Sequence, residues 1–350
     1  MNFHETYLHR CIELAKNGAG NVAPNPMVGS VLVHEGRIIG EGFHQVYGQA
    51  HAEVNCINSV KEEDKHLIPQ ITIYVSLEPC AHYGKTPPCA DRIIHERIPK
   101  VVVGCRDPFK QVDGKGIEKL QNAGVEVTTG VLENECKELN KRFFTFHTQY
   151  RPYIILKWAQ SNNGKIGGSD FKQINISNDF SNRLVHKWRS EEAAIMVGTN
   201  TAFHDNPSLT TRLWKGKDPM RMFLDMELRV PSTHRILDNS VRTIIFNKHK
   251  HSQAGNIEYY QITEDASIVH QIANALYQLQ IQSVLIEGGT RLLQSFIDEG
   301  YWDEARIITN EKLMIDEGIH APSLTNALKS DELRLLTDRV DFFTNNRRSF

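Results

Sequence analysis

Hydrophobic positions along the chain switch between a helical spacing and a two-residue alternation, and the switches mark out its elements. Tyr7, Leu8, Cys11, Ile12, Leu14 and Ala15 recur at helical spacing and predict a helix over residues 3–17. Asn17-Gly18-Ala19-Gly20-Asn21 ends it. Val28–His34 and Arg37–Gly42 read as strands around a Glu35-Gly36 turn. Ala50–Val60 predicts a helix, Ile71–Ser76 a strand rich in β-branched residues, Ala90–Arg97 a helix and Lys100–Cys105 an apolar strand. Gly116–Ala123 reads as a short helix, Val125–Thr128 as a strand, and Glu133–Thr148 as one long helix.

The alternation restarts after Tyr150-Arg151-Pro152. Strands are predicted at Tyr153–Ala159, Ala193–Val197, Arg221–Leu224, Thr243–Phe246, Ser283–Ile286 and Glu304–Ile308. Helices are predicted at Asp179–Ser190, Ser267–Leu279 and Thr290–Glu299. Beyond Lys312 the periodicity is too weak to assign elements. Strands alternating with helices give an α/β class, and the early hairpin makes the first sheet mixed. Two domains are expected, 1–149 and 150–350.

Composition narrows the function. Hydrophobic residues make up 40% of 350, enough for two cores, and a formal charge of −2 gives no basic footprint for nucleic acid. No stretch approaches the ~20 apolar residues that span a bilayer. Met1-Asn2-Phe3-His4-Glu5 lacks the basic and apolar regions of a signal peptide. Six scattered cysteines read as reduced thiols rather than a disulfide framework. A cytoplasmic location is therefore expected.

The chemistry concentrates in His51-Ala52-Glu53 and in Val75-Ser76-Leu77-Glu78-Pro79-Cys80 through Gly84-Lys85-Thr86-Pro87-Pro88-Cys89. Thiolate and imidazole are good zinc ligands, and three of them leave a fourth position open to water. His51, Cys80 and Cys89 form such a set, one Zn²⁺ per chain. Zinc lowers the pKa of that water towards neutrality. Glu53, close by but not a ligand, is then placed to shuttle protons. His-x-Glu followed by Pro-Cys…Cys is the pattern of zinc nucleobase deaminases. His82 as a fourth ligand would instead close a structural site, an arrangement that gives Glu53 no role. Nucleic-acid deaminases carry Cys-x-x-Cys, whereas eight residues separate Cys80 from Cys89. Asn25 sits between Pro24 and Pro26, which fix the backbone around an amide able to donate and accept. His44, His82 and Lys85 lie near in sequence, and the last two are candidates for a substrate phosphate or for solvated loop positions.

In the second half, Ile286-Glu287-Gly288-Gly289-Thr290 is a strand, a glycine turn and a helix start, which suits a pyrophosphate. It is not the Rossmann fingerprint, and a plain tight turn reads the same way. Lys157 stands inside an apolar strand, where an unpaired ammonium is costly.

Pro24-Asn25-Pro26-Met27-Val28-Gly29, His51-Ala52-Glu53, Glu78-Pro79-Cys80 and Gly84-Lys85-Thr86-Pro87-Pro88-Cys89 resemble the bifunctional deaminase/reductase family of riboflavin biosynthesis. In the second half the resemblance runs through Lys157, Ser161, Asn163-Gly164-Lys165-Ile166, Gly198-Thr199-Asn200-Thr201 and Asp205-Asn206-Pro207-Ser208-Leu209-Thr210-Thr211-Arg212. It implies a cytidine-deaminase-like α/β/α sandwich followed by a dihydrofolate-reductase-like α/β domain. It implies zinc-dependent deamination of a phosphoribosylamino-pyrimidine, then NADPH-dependent reduction of the ribosyl chain. Thr201, Asp205 and Gly289, Thr290, Arg291, Leu292, Leu293, Gln294 and Ser295 correspond to cofactor contacts. Asn25, Lys157, Arg189, Leu209, Arg212 and Glu287 correspond to substrate contacts. The implied partners are that small molecule and further copies of the chain, as dimer or tetramer.

The chain departs from the family at three places. Asn162-Asn163-Gly164 stands where Leu-Asp-Gly is common, Asn175 where tryptophan is common, and Met226 where serine often follows the strand aspartate. These keep a second reading open, a deaminase with a silent second domain. A zinc-stapled binding protein is a third, though it leaves Glu53 unexplained.

Overall fold

A set of branched aliphatic residues, Val31, Leu32, Ile73, Val75, Val101 and Val103, builds the sheet on which the first half is assembled. The computed structural model describes residues 3–169 and 174–347, and the chain divides into two units after Tyr150. In the first unit the elements follow as α1 (Phe3–Lys16), β1 (Gly29–His34), β2 (Arg37–Phe43), α2 (Ala52–Asn58), β3 (Thr72–Leu77), α3 (Cys89–His95), β4 (Lys100–Cys105), α4 (Lys115–Asn122), β5 (Glu126–Thr129), α5 (Glu133–Leu139) and α6 (Lys141–Gln149). The sheet order is β2-β1-β3-β4-β5. β1 is antiparallel to β2 and β3, while β3, β4 and β5 run parallel, so the sheet is mixed.

Alternation of side chains across the strands sends Leu32, Ile73 and Val101 against Cys56, Ala90, Ile93 and Leu120 of α2, α3 and α4. Val31, Tyr74 and Val102 face the other way, onto Leu8 and Cys11 of α1, Cys136 of α5 and Phe143 of α6. This is an α/β/α sandwich.

The expected long helix over 133–148 is two helices. Asn140 leaves helical geometry at φ −109°. Its amide is committed to Met27 on both sides, accepting from the Met27 N–H at 2.8 Å and donating to the Met27 carbonyl at 2.8 Å. A 3-10 segment over Glu62–Gln70 was not legible in the pattern; Arg37 grips it with paired bonds to Asp64.

The second unit runs β6 (Tyr153–Ser161), β7 (Lys165–Gly168), α7 (Asp179–Glu191), β8 (Ala194–Val197), β9 (Met220–Leu224), β10 (Thr243–Asn247), β11 (Ser252–Ala254), β12 (Ile257–Gln261), α8 (Ile268–Gln278), β13 (Ser283–Glu287), α9 (Thr290–Asp298), β14 (Glu304–Asn310), β15 (Gly318–His320), β16 (Ala327–Leu335) and β17 (Asp338–Asn345). Among the described residues its large sheet has the order β11-β12-β10-β9-β8-β13-β6-β14-β17-β16, and β7 pairs with β15. From β12 to β14 the neighbours are parallel, and β11, β17 and β16 add antiparallel edges. Helices α8 and α9 cover one face through Ile272, Leu276, Leu293 and Phe296. Helix α7 covers the other through Val185 and Trp188, against Tyr153, Ile155 and Leu285.

Six strands of this unit, β7, β11, β12, β15, β16 and β17, were not among those predicted. β16 is exposed over most of its length and shows no alternation, so it exists only because β17 pairs with it. The short strands β7, β11 and β15 likewise depend on partners.

Candidate functional site

In the first unit, α2 brings its start to the sheet because Gly42 leaves room for it. A Cβ on Gly42 would sit 2.3 Å from the Cys56 nitrogen and 2.7 Å from the Ala52 carbonyl. His51 is not in the first helical turn, contrary to the sequence expectation. It is the residue before α2, in extended geometry at ψ 170°, and Glu53 is in the turn that follows. Two residues apart on a helix do not share a face, but an extended residue can point its ring beside a helical neighbour's carboxyl.

Cys80 follows β3, and Cys89 is the first residue of α3, after Pro87-Pro88. His51 Nδ1 lies 3.5 Å from Cys80 Sγ and 3.4 Å from Cys89 Sγ. The three donor atoms lie within 4.8 Å of one another. The Cys89 thiol and His51 draw the Cys80 sulfur well below the ordinary thiol range, and the Cys89 N–H also donates to it at 3.3 Å. One imidazole and two sulfurs around one point are a zinc donor set. Glu53, 3% exposed, stands beside the set with its carboxyl in bonding reach of Cys89. Burial and the neighbouring Cys80 push that carboxyl up to about 7. His82 is outside the set, and its ring meets Phe109 edge-on at 6.2 Å.

Asn25 Nδ2 donates to His44 Nε2 at 3.1 Å, and His44 Nδ1 donates to the Ala50 carbonyl at 3.1 Å. The His44 ring lies 5.2 Å from that of His51, so Asn25 and the metal set share one wall. Burial holds the His44 imidazole towards its neutral form. Lys85 lies over the Tyr47 ring at 4.2 Å. The sequence pointed to Glu78 only as part of a motif. Its buried carboxylate accepts from the amides of Asp107, Gly114, Gly116 and Ile117 at 3.0–3.3 Å, which ties the Cys80 loop to the start of α4.

In the second unit, Glu287 ends β13 in register with Lys157 on β6. Arg189 on α7 makes a paired contact with Glu287 at 2.9 and 2.8 Å, and Lys157 lies 3.7 Å away. Burial alone would raise the Glu287 carboxyl, but Arg189 and Lys157 together hold it at about 2. Lys157 is shifted down because burial outweighs the attraction. Arg189 and Lys157 are thus paired, not free. Arg212 differs: its guanidinium is exposed and bonds Thr210 Oγ1 at 2.8 Å, with no carboxylate partner among the described residues. Burial, then Arg189 and Arg235, lower its pKa. Leu209 is buried in the core at φ +53°, so only its main chain can face a ligand. His186, absent from the sequence reading, accepts the Arg212 N–H on Nδ1 at 2.8 Å.

The glycine turn leads into α9 with Gly288 and Gly289 at φ +81° and +77°. A Cβ on Gly289 would approach Gly198 and the Thr201 hydroxyl at 3.6 Å, so Thr201 and this turn adjoin. Asp205 ends the π-helical turn that starts at Thr201, and burial raises its pKa. Amides at the start of α9, from Thr290 onwards, precede the first helical bond from Leu293 to Gly289. Leu292 and Leu293 point their side chains into the core, while Arg291 and Ser295 are exposed and Gln294 is half-buried. A bare glycine turn with free helix amides fits the pyrophosphate of a nicotinamide cofactor. Of the departures, Asn163 accepts from Ser161 Oγ at 2.7 Å and donates to the Ile315 carbonyl at 2.8 Å, and Met226 packs on the core.

Residues 1–105 match the family described as the cytidine and deoxycytidylate deaminase zinc-binding region, and residues 152–336 match the RibD C-terminal domain. The riboflavin biosynthesis protein RibD of Aquifex aeolicus is 38% identical over 342 residues, spanning 96% of this chain and 95% of its own. The Escherichia coli protein of that name is 32% identical, over 89% and 88%. A Thermotoga maritima crystal structure, of a diaminohydroxyphosphoribosylaminopyrimidine deaminase/5-amino-6-(5-phosphoribosylamino)uracil reductase, superposes with a TM-score of 0.88 at 35% identity, over 98% of this chain and 99% of that one. Acinetobacter baumannii RibD superposes at 0.89 with 31% identity, over 98% of each chain.

Proposed function

The chain belongs to the RibD family of riboflavin-biosynthesis proteins, and we infer from that premise a bifunctional enzyme, a deaminase followed by a reductase. The first half removes ammonia hydrolytically from 2,5-diamino-6-(5-phosphoribosylamino)pyrimidin-4-one. The second half reduces the ribosyl chain of the product to ribityl, with NADPH. The observation that carries the first activity is the gathering of His51, Cys80 and Cys89 beside a buried glutamate outside the ligand set.

Zinc, when bound to those three residues, supplies a nucleophilic water at neutral pH. Glu53, beside the set and outside it, would hold and pass the protons that hydrolysis moves, towards the ring nitrogen and the departing ammonia. Asn25, fixed against His44, offers its amide to the pyrimidine edge.

NADPH, when bound, supplies the hydride for C1′ of the ribosylamino group. Thr201, Asp205 and the stretch Gly289, Thr290, Arg291, Leu292, Leu293, Gln294, Ser295 are the proposed cofactor site, with the leucines contributing main chain only. Lys157, Arg189, Leu209, Arg212 and Glu287 are the proposed substrate site. Arg212, which has no carboxylate ion pair among the described residues and lies near Arg189 and Arg235, is the group for the phosphate. Arg189, held by Glu287, adds positive field behind it. The match over residues 152–336 supports an active reductase rather than a silent second domain.

A homo-oligomer and a cytoplasmic location complete the proposal. The outer edge of β16, unpaired among the described residues and with Leu328 and Leu333 exposed, supports association. No helix of the described residues is long and apolar enough to cross a membrane. The test is purified protein with the diamino substrate, scored for ammonia, and with NADPH added, scored for cofactor oxidation. Ammonia release without NADPH and oxidation only after deamination are expected; no ammonia from zinc-loaded protein refutes the reading.

A further inference from the structure

We propose that His186 is a positioning residue of the reductase site, holding the Arg212 main chain so that the segment Ser208–Arg212 presents its cation to a phosphorylated substrate. This rests on the reading of Arg212 as the phosphate group's partner.

The segment is held from outside by four side chains. Arg221 reaches the Ser208 carbonyl at 3.5 Å, and Arg189 reaches the Thr210 carbonyl at 3.3 Å. Asp218 accepts the Thr211 N–H at 2.6 Å, and His186 accepts the Arg212 N–H at 2.8 Å. Leu209 within it adopts a left-handed conformation, which a residue with a Cβ does not choose unaided. The backbone is therefore fixed by its surroundings, while the Arg212 guanidinium is left exposed. Preorganising a charged group in this way reduces the ordering cost of binding.

His186 is the hold on the residue that carries the charge. It lies on α7, one turn before Arg189, and is 6% exposed. A backbone N–H can only donate, so Nδ1 must be the acceptor and the ring proton must sit on Nε2. Protonation would set one N–H against another. The groups facing the ring are Arg189, Arg212, Lys157 and Glu287, three cations and one anion. Burial and those cations hold the imidazole down at about 4. The acceptor thus survives across the range in which an ordinary histidine would charge.

Asparagine and leucine replacements provide the test. They share branching and the number of side-chain heavy atoms, and only asparagine can accept a hydrogen bond. The full chain is assayed with NADPH on the deaminated phosphoribosyl substrate and on its dephosphorylated riboside. His186→Leu should raise KM for the phosphorylated substrate about ten-fold, with kcat and the KM for NADPH within about two-fold. The riboside should be affected about two-fold or less. His186→Asn should recover most of the loss. Equal losses on both substrates, or no difference between the two variants, overturns the proposal. Arg212→Ala tells where it failed. If that variant keeps its preference for the phosphorylated substrate, the phosphate reading falls and His186 with it. If it loses the preference while His186→Leu does not, only the role of His186 falls. Histidine ¹⁵N spectra of the wild type give a readout independent of variant folding. A neutral Nε2–H ring for His186 from pH 5.5 to 8 is expected, and an Nδ1–H ring or an imidazolium at pH 6 overturns it.

Discussion

Replacing Glu287 with glutamine keeps the side chain's shape but removes the carboxylate that faces Arg189 and Lys157. Glu287 is buried and the Lys157 and Arg189 side chains are only 12% exposed, so solvent takes over little of the lost role. The carboxyl is held at about 2 against an ordinary 4.5, which corresponds to about 3 kcal/mol of stabilisation at neutral pH. Breaking one side of a buried ion pair costs about 3–5 kcal/mol by itself. The downward shift of Lys157 shows that burial offsets part of the gain, so the lower figure applies. Glu287→Gln should therefore destabilise the second unit by about 3 kcal/mol at pH 7, or roughly 7 °C in its melting point. All four tryptophans, Trp158, Trp188, Trp214 and Trp302, lie in that unit. Tryptophan fluorescence in urea thus reports it without interference from the first. The folded pKa is depressed, so the contribution is complete above about 4.5 and is lost as pH falls towards about 2. The gap between wild type and variant should shrink by about 1.4 kcal/mol at pH 3.5. A gap below about 1 kcal/mol at pH 7, or one that widens in acid, would refute the reasoning.

Elemental analysis should find about one zinc per chain, and the Cys80→Ala, Cys89→Ala double variant should lose it, since one such donor set is present among the described residues. Glu53→Ala should retain zinc and lose ammonia release by about 10²- to 10⁴-fold, while still oxidising NADPH with pre-deaminated substrate. Loss of both activities in folded protein would contradict separate sites. Arg212→Ala should raise the reductase KM about 10- to 100-fold, as expected for a charge-assisted contact worth about 1.5–3 kcal/mol, and leave deamination intact. An unchanged KM would remove Arg212 from the phosphate site.

The donor set His51, Cys80 and Cys89 proposed for zinc, the α/β class and most of the strands that fill the two cores could be read from residue order. Their signals are local: a donor set on a Pro-rich turn, and apolar runs whose period shows in a dozen residues. Partners distant in sequence decided the rest. Asn140 breaks a helix because its amide meets Met27, 113 residues away. β16 has no apolar alternation and is a strand because β17 supplies its hydrogen bonds. Glu287 and Arg189 were legible as site candidates, but not as a buried pair, since their contact spans 98 residues. Glu78 and His186 carry no local mark of their roles. One collects amides from a later loop and the other accepts from Arg212, 26 residues on. Sequence determined which groups are available and which segments bury themselves. Tertiary structure decided which polar groups must satisfy one another, because a buried donor or acceptor takes whatever partner the fold brings near.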